Sequence, residues 1–176
     1  MPRQNTYRAA RPAVASLLLV SALSACGGAT DDKQPTQREQ IGQVWKYETE
    51  QSNGRAIPLA YIGSANTVRT MTAPDTFAVL LLQKMRNGET GVTVKAVGAP
   101  FSCDLSDCNV DVSIDGKPPK KWRGRITDAK DGVTIPPSQK AYESLSGAKT
   151  VRVDITLGNE GAHPFEFRTE GLKWPG

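Results

Sequence analysis

Three thiols are the first candidates for chemistry. Cys103 and Cys108 flank the four residues Asp104-Leu105-Ser106-Asp107, and Cys26 stands far from both, near the N-terminus. A spaced thiol pair can form a structural disulfide, act as a redox couple, or supply part of a metal site. Redox pairs usually keep two intervening residues, and here there are four. A structural zinc needs about four ligands, and the chain has one histidine. A disulfide between Cys103 and Cys108 is the expected use, and closing so small a loop would contribute about 2 kcal/mol in the chain-entropy account.

Hydrolytic chemistry has few footholds. There is no Gly-x-Ser-x-Gly turn, no phosphate-cradling glycine loop and no His-Glu-x-x-His. A Ser-His-Asp triad would have to use His163, the sole histidine, in Gly161-Ala162-His163-Pro164, which reads as a turn. Ser146-Gly147-Ala148-Lys149 has the Ser-x-x-Lys spacing used as a nucleophile motif by penicillin-binding proteins. In that motif the serine opens a helix so that the lysine one turn on faces it. Here Ser146 falls at the end of an expected helix, Gly147 breaks it, and Lys149-Thr150 is followed by valine where a glycine would be needed. Asp104, Asp107, Asp111 and Asp115 have the oxygen chemistry of a Ca²⁺ site, but their spacing over a strand and loop is not a compact ligand loop, and they read as a solvated acidic face. No catalytic residue, cofactor or metal is expected.

Charge offers one further candidate. Lys117, Lys120, Lys121, Arg123 and Arg125 crowd a short stretch that also holds Trp122. A solvated strand and turn would look like this, and so would a contact site for an acidic partner or anionic polymer. Trp122 with Lys120, Lys121 and Arg123 is the expected binding group, because an exposed aromatic among cations is a common interface anchor. Trp45, Tyr47, Trp122 and Trp174 make up a sparse aromatic set, for which core packing is the default and exposure on a sandwich face would instead mark a binding patch.

The elements that would position these residues follow a period of two. Val44 to Thr49 alternates, Asn66 to Met71 is a shorter candidate strand, and Phe77 to Met85 is a nearly continuous apolar run suited to a strand covered on both faces. Asn87-Gly88 marks a hairpin joining 77–86 to 90–98. Cys108, Val110, Val112 and Ile114 share one face, opposed by Asn109, Asp111, Ser113 and Asp115. Asp115-Gly116 turns the chain toward a returning strand at Trp122–Ile126. Ser138 to Ser146 is the one helix candidate, capped by Ser138, with Tyr142 and Leu145 on one face and ended by Gly147. Val151, Val153, Ile155 and Leu157 alternate in a further strand, and Phe165-Glu166-Phe167 in the last. Short strands with one short helix predict a mainly β fold, an antiparallel β-sandwich or flattened barrel.

The N-terminus is organised differently. Arg3, Arg8 and Arg11 precede an apolar run at Ala13–Ala22, with no acidic residue before Cys26. That is the layout of a secretory signal, and the run is too short to span a bilayer, which takes about 20 residues. Leu23-Ser24-Ala25-Cys26 resembles the lipobox of bacterial lipoproteins at all four positions. The resemblance implies a signal peptide over 1–25, lipidation of the Cys26 thiol, cleavage before it, and a membrane anchor of several acyl chains. Gly27, where aspartate would favour inner-membrane retention, implies outer-membrane sorting facing the periplasm in a diderm cell. Residues 26–40 carry no apolar side chain larger than alanine after Cys26 and read as a flexible tether of roughly 20 Å. The remaining 41–176 form a single expected domain.

Export changes the composition. The chain has 22 basic and 18 acidic side chains; losing the three signal arginines leaves 19 against 18. A near-neutral mature protein does not support nucleic-acid binding. With Cys26 set aside, the other two cysteines form an even pair in an oxidising compartment.

The layout Phe101-x-Cys103-x4-Cys108-x-Val110-x-Val112-x2-Asp115-Gly116, then Val151-x-Val153-x-Ile155, then Phe165-x-Phe167-x3-Gly171-Leu172-x-Trp174 resembles small, mostly uncharacterised bacterial envelope proteins. The resemblance implies a non-enzymatic sandwich and assigns no functional residue. The expected function is a membrane-anchored envelope module that binds a protein partner, neutralising an effector or toxin or serving a secretion system. The competing expectation is an envelope hydrolase whose site would gather His163, a carboxylate and a hydroxyl in one pocket.

Overall fold

The computed structural model describes residues 34–52, 54–103 and 108–174. The expected signal peptide, Cys26, the first part of the tether, Asp104 and Asp107 lie outside the described residues.

Alternation builds two antiparallel sheets. β1 (Lys46–Ser52), β2 (Arg55–Gly63), β3 (Phe77–Lys84), β4 (Thr90–Val97), β7 (Arg125–Ile126) and β8 (Gly132–Thr134) form one, in the order β1-β2-β3-β4-β8-β7. β5 (Asn109–Ile114), β6 (Lys120–Arg123), β9 (Thr150–Thr156) and β10 (Ala162–Arg168) form the other, in the order β10-β9-β5-β6. This is the expected mainly β sandwich. Its core is the set of inward faces: Ile62, Leu80, Leu82, Val92 and Val94 from the larger sheet, and Val110, Val112, Val151, Val153, Ile155, Phe165 and Phe167 from the smaller. Among the described residues no helix is long and apolar enough to cross a membrane.

Asn87-Gly88 performs as its chemistry predicts, joining β3 to β4 with Lys84 paired to Thr90 and Phe77 to Val97. In the second hairpin Asp115 and Gly116 both take positive φ, 49° and 71°, and the Lys117 N–H closes the turn on the Ile114 carbonyl at 3.0 Å. That pair of left-handed residues is what a tight hairpin turn demands.

Four expectations need correction. First, residues 37–40 belong to the fold and not to a tether. They open the helix α1 (Gln37–Ile41), begun by a reciprocal capping box between Thr36 and Glu39. Two orphan donors are thereby satisfied without any apolar side chain. Arg38 then donates to the Ala65 and Asn66 carbonyls at 3.0 and 3.2 Å and lies over the Phe77 ring. This covers Phe77 at the start of β3.

Second, Asn66 to Met71 is not a strand. It touches the sheet by one isolated bridge, Val68 to Thr76, and Thr70 folds back on Ala73 through a backbone bond of 2.8 Å. Third, the returning segment Trp122–Ile126 is not one strand. The chain switches sheets at Gly124, so that β6 ends the smaller sheet and β7 ends the larger. Only glycine fits that corner, because a Cβ would lie 2.2 Å from both the Cys108 carbonyl oxygen and Val133 Cγ2.

Fourth, Ser138 does not cap the expected helix. α2 (Ser138–Leu145) starts with Ser138 already inside it, the hydroxyl donating to the Ile135 carbonyl at 3.2 Å. Its buried side chains are Ala141 and Leu145, with Tyr142 half-buried beside them.

Candidate binding edge

The turn that leads to the basic stretch is pinned from below. Asp115 Oδ1 accepts from the backbone N–H groups of Lys149 and Thr150 at 2.8 and 2.9 Å, and its own N–H donates to the Thr150 carbonyl at 2.9 Å. The Thr150 and Lys149 amides hold the Asp115 carboxyl below the usual carboxylate range. Asp115 is therefore engaged in joining the turn to β9. Among the described residues no group of three or more His, Cys, Asp or Glu side chains is arranged to hold a metal.

Beyond the turn, Pro118 and Pro119 lead into β6. Its register sets Lys120 against Val112, Lys121 against Asp111, Trp122 against Val110 and Arg123 against Asn109. Opposed residues of an antiparallel pair share a face. Val110 and Val112 are buried, so Lys120 and Trp122 lie on the core side, while Lys121 and Arg123 lie on the outer side. Lys120, Lys121 and Arg123 are all exposed, and none makes an ion pair among the described residues.

Trp122 is not an exposed patch. It is half-buried and packs against the core, forming the floor of a groove of about 240 Å³ between β6 and α2. Ile135, Pro136, Pro137 and Ala141 line the groove, and Lys121, Arg123 and Lys140 rim it; no carboxylate among the described residues lines it. Lys140, on α2, is a cation that reading the 117–125 stretch alone misses. It stands fifteen residues or more beyond that stretch, and only the packing of α2 brings it to the rim.

The edges of the smaller sheet are treated differently. At β10 the edge is closed: the Ala65 N–H donates to the Glu166 carbonyl at 2.6 Å, the Asn66 amide donates to the Pro164 carbonyl at 2.8 Å, and Asn66 Oδ1 accepts from the Glu166 N–H at 2.8 Å. At β6, the other end of the order, no strand follows among the described residues. An unpaired strand edge is a ready template for another chain.

The remaining candidates do not converge. His163 is in β10 and not in a turn, paired with Ile155. Ile155 is fully buried, so the imidazole lies on the core side, half-buried, with Nε2 enclosed and lacking a hydrogen-bond partner. No carboxylate or hydroxyl among the described residues bonds it, as a hydrolytic base would need. Ser146 closes α2, its N–H bonding the Tyr142 carbonyl. Trp45 and Trp174 are half-buried and spend their N–H groups on the Thr169 carbonyl at 3.0 Å and the Thr90 hydroxyl at 2.9 Å. Cys103 and Cys108 are joined at a Cα separation of 5.0 Å, and Cys108 is buried. On the β1–β2 ribbon the Tyr61 hydroxyl donates to Glu48; that bond, with burial and the Glu48 charge, pushes the phenol up to about 12.

No protein-family model matches the chain. No curated protein matches it either. Among solved structures it is similar to the crystal structure of invasion associated protein b from Bartonella henselae, at 13% identity and a TM-score of 0.46, over 72% of this chain and 84% of that one.

Proposed function

We propose that the protein is a lipid-anchored bacterial envelope lipoprotein whose β domain binds a protein partner. Anchoring rests on the lipobox-like Leu23-Ser24-Ala25-Cys26 behind a basic and apolar leader. The observation that carries the binding role is the open β6 edge. A protein that closes β10 with three hydrogen bonds leaves β6 without a further strand among the described residues, beside a groove with an aromatic floor rimmed by Lys121, Arg123 and Lys140. The partner works within reach of the anchor, in the envelope, and the outer membrane is the address that Gly27 favours.

Two experiments test this. Cys26→Ser should abolish acyl labelling and release the protein from membranes; unchanged labelling defeats the anchor. A photocrosslinker placed at Lys121 in the full chain should capture one discrete envelope protein in living cells, while one placed at Arg69, away from β6, should not. Equal capture at both positions, or none at Lys121, defeats the binding edge.

A further inference from the structure

We infer that the partner presents an extended, acidic segment that joins β6 as a fifth strand of the smaller sheet, with acidic and apolar residues in alternation. The inference rests on the binding role proposed above and specifies its ligand.

Three features carry it. The edge is available: β6 ends the order β10-β9-β5-β6, and the protein guards the opposite edge. Strand addition uses such free backbone groups for affinity and alternate side chains for selectivity. Cations predominate: Lys120, Lys121 and Arg123 are exposed and make no ion pair among the described residues, Lys140 adds to the rim, and the acidic neighbour across β5 is Asp111, opposite Lys121. Lysines on an edge commonly keep strands from pairing at random. They repel basic strands and leave a neutral one without a charge partner, so an acidic strand is the one that gains.

The third feature sets the pattern. On an added strand, residues opposite Lys121 and Arg123 would stand on the outer face beside those cations. Residues between them would stand on the inner side, over the groove of Trp122, Ile135, Pro137 and Ala141. The pleat converts that into acid, apolar, acid, apolar. The groove's volume of about 240 Å³ gives room for apolar side chains. β6 is four residues long, with Pro118-Pro119 before it and the Gly124 corner after it, so the paired stretch is short and matches one recognition motif.

The test uses full-length protein in detergent micelles and three peptides of equal length: alternating Glu-Val, a block isomer with all glutamates before all valines, and alternating Lys-Val. The alternating acidic peptide should bind at least tenfold more tightly than its block isomer, and the basic peptide should not bind. Amide chemical shifts should move at 120–123, and the double variant Lys121→Glu/Arg123→Glu should lose at least tenfold in affinity. Equal binding of the two acidic isomers would show attraction without strand addition and overturn this inference, while Lys121 crosslinking in cells would still support the partner-binding role. Binding that ignores the charge reversal, or no binding by any peptide, overturns the inference as well; crosslinking again decides the broader role separately.

Discussion

Replacing Gly124 with alanine should unfasten the corner where the chain leaves one sheet for the other. The new Cβ would stand 2.2 Å from the Cys108 carbonyl oxygen and 2.2 Å from Val133 Cγ2. Comfortable contacts between such atoms are about 3.5–4.0 Å, so more than an ångström has to be recovered in two directions at once. Neither neighbour gives way cheaply. One is backbone at the entrance to β5, and the other belongs to Val133, which is fully buried in β8. Overpacking a core by one methyl group costs about 1–3 kcal/mol. Shifting β6 or β7 also strains short ladders whose hydrogen bonds contribute about 1 kcal/mol each. The expected loss is about 3 kcal/mol, large against the 5–15 kcal/mol typical of a domain. Urea unfolding followed by tryptophan fluorescence reads it, because Trp122 lies two residues from the corner. The midpoint should fall with little change in slope. Adding Val133→Ala removes one of the two clashes, so the double variant should lose less than the sum of the singles, by about 1 kcal/mol. A Gly124→Ala protein within about 0.5 kcal/mol of wild type, or strict additivity with Val133→Ala, would refute the reasoning from contact distances.

Three other outcomes are expected. Because the Thr150 and Lys149 amides depress the Asp115 carboxyl, its contribution is present above the unfolded carboxylate range and is lost as pH falls through the lowered native value; melting temperatures of wild type and Asp115→Asn should therefore converge on acidification below pH of about 4, and parallel curves would contradict this. His163→Leu should be neutral or stabilising by about 1 kcal/mol, since it removes an enclosed Nε2 that has no partner; a clear loss in chemical denaturation would mean that this nitrogen is bonded after all. Glu48→Gln should return the Tyr61 phenol from about 12 toward 10, read by ultraviolet titration of the phenolate, and an unmoved transition would exclude Glu48 as the cause.

Much of the fold was legible because strand burial has a period of two. The faces of β5 and β9 and the Phe165 and Phe167 positions of β10 follow directly from alternation, and Asn87-Gly88 and Asp115-Gly116 mark their hairpins. β2 was not legible, since Pro58 sits within it. The structure explains the tolerance: β3 pairs only with Leu59–Gly63, so Pro58 has a partner on the β1 side alone and loses no ladder bond on the other. α1 escaped notice because a capping box and one long-range arginine replace the apolar stripe by which helices are recognised. The proposed edge was half legible. Lys120, Lys121, Trp122 and Arg123 stand together in the chain, but alternation alone does not say that Trp122 packs against the core while Lys121 and Arg123 face outward.

What the sequence by itself determined is local. It fixes which side chains can face inward, where the chain can turn, where cations accumulate, and a lipobox-like Cys26 that separates one cysteine from the pair at 103 and 108. What only the tertiary structure decided is which edge stays open and what surrounds it. Asn66 reaches β10 across one hundred residues, α2 carries Lys140 to β6, and Gly124 divides one apparent strand between two sheets. These outcomes depend on the packing of distant surfaces, and period and spacing carry no record of which surfaces will meet.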